Sequence, residues 1–145
     1  MSAAVFRFQH RVTYAQCTVG NHVYYARYLD ILEAARGEFF REIGHPFWQL
    51  QQADTIFPVI ESHLSYKAPA RYDELLTIEL WVSELSGARL SFGSRILNDA
   101  GKILVEGETR HVCTTLGDKP KRVTKDLADR LQPFLLVSSA SGAAA

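Results

Sequence analysis

From Phe57 onward, apolar residues alternate with polar ones at a period of two. Ile60, Leu64 and Tyr66 form one set, Leu76, Ile78, Leu80 and Val82 a second, and Leu90, Phe92 and Ile96 a third. Side chains on a β-strand point alternately to opposite faces, so each set predicts a strand with one buried side. A further strand is predicted from Ile103 to Thr115. The breaks between them are turn chemistry: Lys67-Ala68-Pro69-Ala70 with Asp73, Ser86-Gly87, and Asn98-Asp99-Ala100-Gly101. Upstream, Val5 to Thr13 predicts a first strand, and Gly20-Asn21 marks a turn in the loop over residues 15–22. Between these strand regions the period becomes three and four. Tyr25, Tyr28, Leu29, Leu32, Ala35, Phe39 and Ile43 make one stripe of a helix about five turns long, closed by Gly44 and Pro46. Gly117-Asp118-Lys119-Pro120 ends the last strand, and Thr124 is placed to cap a short final helix carrying Leu127, Leu131 and Phe134.

A strand, a long helix and four strands joined by turns predict an α+β domain in which the helix covers one face of an antiparallel sheet. Trp81 lies out of phase with Leu80 and Val82, so it faces away from the helix; burial in a subunit interface, in a dimer or tetramer, is the expectation.

Composition narrows the classes. The chain has 145 residues, 47% of them hydrophobic and 22% charged, which suits one folded domain over residues 1–137; the small, polar residues 138–145 predict a disordered tail. Lys plus Arg equals Asp plus Glu at sixteen each, so no global field favours nucleic acid or an anionic membrane. Cys17 and Cys113 make neither a disulfide framework nor a zinc pattern, and no metal is expected. With no apolar leader and no membrane-length apolar run, a soluble protein of the cytoplasm is expected.

The run from Val12 to Leu29, VTYAQCTVGNHVYYARYL, followed by Glu33-Ala34-Ala35-Arg36, resembles the start of the 4-hydroxybenzoyl-CoA thioesterase family of hotdog proteins. Tyr66-Lys67-Ala68-Pro69-Ala70 with Tyr72-Asp73, Glu108-Thr109-Arg110-His111-Val112 and Lys119-Pro120-Lys121-Arg122-Val123 follow in the family's order. The resemblance implies a hotdog fold, a long helix wrapped by an antiparallel sheet, homodimers often paired into homotetramers, and hydrolysis of acyl-CoA at a subunit interface. CoA would enter as part of the substrate, with no separate cofactor. Two positions depart from the pattern. The aspartate that usually stands two residues before the turn glycine is Thr18, and a histidine found in some members just before the alanine is Tyr25.

Thioester hydrolysis needs a donor at the carbonyl oxygen, a base or nucleophile near the carbonyl carbon, and a site for the CoA phosphates. The helix start near Val23 to Tyr25 offers unpaired N–H groups, a role the resemblance places at Tyr24; capping by Asn21 or Thr18 is the competing use. Three candidates stand for the base. Glu33 lies two turns along the helix, although an ion pair with Arg36 would occupy it equally well. His22, in the loop before the helix, can activate a water. Thr18 with Asn21 can hold a water without deprotonating it. Cys17 lacks a His/Asp arrangement and reads as a small hydrophobe. For CoA, the resemblance points to Arg89 and Ser91 at a hairpin end, and Lys119, Lys121 and Arg122 form a local basic cluster. Tyr25, Tyr28, Phe57 and Phe92 are candidate walls of an acyl pocket. The alternative function is an acyl-CoA-binding hotdog protein with weak or no hydrolysis, because a threonine hydroxyl cannot inherit a carboxylate's role.

Overall fold

The structure is a computed structural model that describes residues 3–137; the predicted tail lies outside these residues. The elements in order are β1 (Phe6–Arg11), a two-rung hairpin of β2 (Cys17–Thr18) and β3 (His22–Val23), α1 (Arg27–Glu42), α2 (Phe47–Gln52), β4 (Val59–Tyr66), β5 (Leu75–Ser86), β6 (Arg89–Leu97), β7 (Ile103–Val112) and α3 (Lys125–Leu131). Five strands form one sheet in the order β1-β5-β6-β7-β4, with every pairing antiparallel.

The β5 and β6 sets fall on the predicted face, whereas the β4 set does not: Ile60 and Tyr66 are exposed and Leu64 is only half-buried, β4 lying at the edge of the sheet. Leu76, Ile78, Leu80 and Val82 of β5 and Leu90, Phe92 and Ile96 of β6 are buried beneath α1. Phe39 is the centre of this layer. Its ring stacks on Phe6 at 5.2 Å between centroids and meets Phe92 at 5.8 Å and Phe134 at 4.7 Å edge-on. Truncating it to alanine would remove about 3–5 kcal/mol of stability. The result is the hotdog arrangement, one long helix wrapped by an antiparallel sheet.

Three expectations change. The helix starts at Arg27 and its buried face is Tyr28, Ile31, Leu32, Ala35, Arg36, Phe39 and Phe40, whereas Tyr25 and Leu29 are 60% and 39% exposed. Residues 24–26 turn the chain into the helix, so the stripe begins three residues late. Second, α2 was not foreseen: Pro46, read as a terminator, also sits at the N-cap of a new helical turn, where its missing N–H goes unused. Third, only β5, β6 and β7 of the last four strands are sequential neighbours. β4 pairs with β7 at the far edge, and the segment after Tyr66 crosses to the other side of the sheet to begin β5 beside β1. That crossing is held by backbone bonds from Lys67 N–H to Leu104 O (2.7 Å) and from Asp73 N–H to Val12 O (3.1 Å).

The final helix is capped as predicted, with the Thr124 hydroxyl accepting from Leu127 N–H at 3.4 Å, but it ends at Leu131 and a 3-10 turn carries Phe134 back to the core. Trp81 faces away from α1, lies across Gly93 and sits 4.9 Å from the Arg95 guanidinium. No helix among the described residues is long and apolar enough to cross a membrane.

Candidate active site at the entrance to the long helix

The chain between β1 and α1 is a knot of local bonds. Gly20 (φ 78°) and Asn21 (φ 61°) occupy the left-handed region between β2 and β3; glycine does so freely and asparagine tolerates it. The Asn21 side-chain oxygen accepts from Tyr72 N–H at 3.2 Å, and Gly20 O accepts from Arg71 at 3.2 Å, so the β4–β5 crossing pins the turn. Within the hairpin Thr18 pairs with His22 and Cys17 with Val23. Directly opposed residues place their side chains on one face, so Thr18 and His22 are neighbours, both exposed.

Two of the three expected carbonyl donors are already used. Val23 N–H donates to Ala70 O and Tyr24 N–H donates to Gln16 O, each at 2.9 Å. The N–H groups of Tyr25 and Ala26 have no partner among the described residues, while Arg27, Tyr28 and Leu29 close the first turn onto the carbonyls of Tyr24, Tyr25 and Ala26. The available donors therefore begin at Tyr25, the last residue of the expected range, and extend one residue beyond it, while Tyr24, where the resemblance placed the role, is already paired. They sit at the positive end of a 16-residue helix, where a developing oxyanion is favoured.

Around them is an aromatic cluster. The Tyr25 and Tyr28 rings lie 6.1 and 5.7 Å from Tyr66, and Tyr24 is 4.9 Å from Tyr25. Tyr28 is buried, its hydroxyl accepts from Ala70 N–H at 3.1 Å, and burial raises its pKa above the usual phenol value. Cys17 is half-buried and its thiol points to Thr13 O at 3.7 Å, away from any base.

Glu33 is not at this entrance. At ~1.5 Å per residue it lies about 12 Å along the axis from Tyr25, exposed at the mouth of a cavity of about 310 Å³. The expected Glu33–Arg36 ion pair is absent among the described residues, although the Glu33 charge still acts on Arg36 through space. The cavity runs between α1, α2 and the start of β4, and Phe40, Phe47, Phe57 and Phe92 supply its apolar walls. Phe57 and Phe92 thus line a pocket as expected, whereas Tyr25 and Tyr28 belong to the entrance.

His111 closes the cavity floor. Its Nδ1–H donates to Phe57 O at 3.1 Å and its Nε2 accepts from the Thr109 hydroxyl at 2.9 Å. Desolvation, with Arg36 nearby as a smaller cause, holds its pKa down at about 4. The sequence reading missed Arg36 and His111 as pocket residues. Arg36 was legible in principle, because it sits four residues from both Leu32 and Phe40 on the apolar face.

The expected CoA contacts gather elsewhere. Val123 N–H donates to Gly87 O and Cys113 N–H to Ala88 O, so Arg89 at the β5–β6 hairpin stands beside Lys121 and Arg122. Lys119 and Arg122 are exposed; the Lys121 ammonium donates to Asp54 O and the Thr55 hydroxyl at 3.2 and 3.0 Å. Ser91 does not fit the expectation: it is buried, and its hydroxyl donates to Glu84 at 3.2 Å. The whole group lies at the Ser86 end of β5, whereas the helix entrance lies at the Leu75 end, about 36 Å away at ~3.3 Å per strand residue. Cations near the entrance within the same chain include Arg27, the first residue of α1, which pairs with Asp30, together with Arg71 and Arg11, the latter donating to Asp73 O at 2.7 Å.

Comparison with known proteins shows the family and the fold. Residues 12–131 match the family model of the thioesterase-like superfamily. The chain is 35% identical over 130 residues to the acyl-CoA thioester hydrolase YbgC of Escherichia coli O6:H1, covering 88% of this chain and 96% of that one. It is 28% identical over 79 residues to the 4-hydroxybenzoyl-CoA thioesterase of Pseudomonas sp. strain CBS-3, covering 52% and 56%. A probable thioesterase from Bartonella henselae superposes with a TM-score of 0.79 at 32% identity, over 83% of this chain and all of that one. With a five-stranded antiparallel sheet around one helix and a family match spanning its whole core, the chain belongs to the thioesterase-like superfamily.

Proposed function

We propose that the protein hydrolyses acyl-CoA thioesters at the entrance to α1. The observation that carries this reading is the pair of unpartnered N–H groups at Tyr25 and Ala26, set beside the Thr18–His22 hairpin. A thioester carbonyl oxygen accepts from these donors, and the helix dipole favours the negative charge that develops on it. Water held between the Thr18 hydroxyl and the His22 ring attacks the carbonyl carbon. His22 takes the water's proton as the C–O bond forms. The C–S bond then breaks, the thiolate leaves as CoA and takes up a proton, and the free acid remains. Thr18 positions the water and Asn21 fixes the turn through Tyr72; neither is the base. Glu33, two turns away, guards the acyl cavity.

The acyl group runs along the groove between α1 and β4 toward the cavity. β4 is an edge strand with exposed Val59, Ile60 and Tyr66, an unpaired backbone row that a second copy can continue. A homodimer formed in this way, or a homotetramer built from it, explains how Arg89, Lys119, Lys121 and Arg122 serve CoA. Lying about a strand length from their own chain's entrance, they contact the nucleotide bound to a neighbouring subunit. Cys17 and Cys113 are both free thiols, which supports a reducing, cytoplasmic setting.

The test is release of free CoA from short-chain, long-chain and aromatic acyl-CoAs, with His22→Ala and Glu33→Gln beside the wild type. Turnover falling roughly 10²-fold in His22→Ala and less than about tenfold in Glu33→Gln supports the assignment. The reverse order moves the base to Glu33. No turnover by folded wild type on any thioester supports a binding protein instead.

A further inference from the structure

Among the described residues, Arg36 is the one Lys or Arg lining the acyl cavity. It projects from the middle of α1, only 8% exposed, into a space otherwise walled largely by Phe40, Phe47, Phe57, Phe92 and Pro58. A guanidinium keeps its charge and five donors under all ordinary conditions, so burying one without a partner is unfavourable. Among the described residues no carboxylate lies within 4.0 Å of it and none of its donors makes a hydrogen bond, so the unpaired nitrogens of this largely buried side chain face the open cavity. Of the other polar residues lining the cavity, Gln51 is exposed on α2, and His111 and Thr55 are committed elsewhere. His111 spends both ring nitrogens on Phe57 O and Thr109, and the Thr55 hydroxyl donates to Ala53 O while accepting from Lys121. Glu33 stands outside at the mouth.

We infer that Arg36 receives a carboxylate at the far end of the acyl chain, so that the favoured substrates are thioesters of dicarboxylic acids. The proposal rests on the thioesterase reading for the fate of the ligand, but not for its binding. Its geometry follows from the antiparallel course of α1 and β4. Tyr66, at the end of β4, meets Tyr25 and Tyr28 at the helix entrance, and Val59, at its beginning, lines the cavity with Arg36. Arg36 lies about 14 Å of helix axis beyond Arg27, and helical side chains lean back toward the N-terminus, which shortens the span to the entrance. The cavity, about 310 Å³, is roughly ten times the share of one water molecule in the liquid. A flexible chain of several carbons fits along the aromatic walls, with its terminal carboxylate in bidentate contact with Arg36.

The experiment separates binding from turnover. Calorimetric affinities are measured for S-hexyl-CoA and S-carboxypentyl-CoA, thioethers that cannot be hydrolysed and differ in the terminal group. Wild type is expected to bind the carboxylated ligand at least about tenfold more tightly, the worth of one charge-assisted contact. Arg36→Gln abolishes the preference and Arg36→Lys keeps part of it. Equal affinities in the wild type overturn the inference without recourse to any variant, as does a preference that survives in a folded Arg36→Gln protein. Turnover of adipoyl- and suberoyl-CoA against hexanoyl- and octanoyl-CoA is then read separately. Cleavage of both classes with equal kcat/KM leaves a thioesterase and removes the dicarboxylate assignment. Selective binding without cleavage of any thioester keeps the Arg36 site and removes the hydrolase reading.

Discussion

Thr18 and His22 face each other across the shortest ladder in the protein, the two rungs of β2 and β3. The register leaves their side chains on one face, beside the helix entrance, with Gly20 and Asn21 holding the turn between them in the left-handed region. Thr18, the position at which the resemblance implies an aspartate, is therefore adjacent to the only histidine of the loop.

That adjacency predicts the effect of restoring a carboxylate. Thr18→Asp puts a base where the water is held, and kcat on a short acyl-CoA should rise by roughly ten- to a hundredfold, below the 10²–10⁴ range of a fully positioned base because His22 already contributes. Free-CoA release under saturating substrate checks it. An unchanged kcat would show that the reacting carbonyl does not sit over this hairpin.

Tyr28 ties the helix to the β4–β5 crossing. Its buried hydroxyl accepts from Ala70 N–H, and Ala70 O accepts from Val23 N–H, so one chain of bonds runs from α1 through the crossing to β3. Tyr28→Phe leaves the Ala70 donor buried and unpaired and should lower stability by about 1–3 kcal/mol. Denaturant titration gives the loss, and hydrogen exchange at Val23 and Ala70 should accelerate more than exchange in β5 and β6.

His111 makes stability depend on pH. In the unfolded chain its ring takes up a proton below about pH 6.5, whereas burial delays this in the folded protein to about pH 4. The stabilisation is fully present above the unfolded value and is lost as pH falls through that window, up to about 3 kcal/mol in all. Thermal unfolding from pH 7 to pH 4 should show this decline in the wild type and a flatter profile in His111→Gln.

The β4 edge offers a test of assembly. Ile60 is exposed near the start of the β4 edge strand, beside exposed Val59, and a charge there opposes pairing with a second copy. Ile60→Lys should sediment as a monomer under conditions where the wild type is a dimer or larger, with the melting transition of the fold retained. A wild type that is itself monomeric would refute the edge-pairing arrangement.

Gly93 must stay a glycine because a Cβ there would collide with the Trp81 ring. Gly93→Ala should destabilise by about 1–3 kcal/mol through overpacking and shift tryptophan fluorescence. Trp81→Leu in the same chain should recover most of the loss.

Much of the architecture is written in local order. Alternation in β5 and β6 and the three-and-four spacing from Tyr28 to Ile43 determine which face each element buries, because side-chain direction follows backbone geometry residue by residue. The Thr124 cap, the left-handed Gly20-Asn21 turn and the departure at Thr18 are equally local, and the family motifs carried the fold and the chemistry together. What the sequence did not carry is everything fixed by contacts between distant segments. Strand order depends on where the residues after Tyr66 cross, and nothing in their turn chemistry says whether β4 pairs with β5 or with β7. Which N–H groups at the helix entrance are available depends on Gln16 and Ala70 reaching Tyr24 and Val23. The basic cluster and the entrance look close in function yet lie at opposite ends of one strand. Arg36 reads in the sequence as an ion-pair partner for Glu33; only the packed cavity shows a largely buried side chain facing open space with no partner among the described residues, because burial and pairing are properties of the assembled core and not of neighbours along the chain.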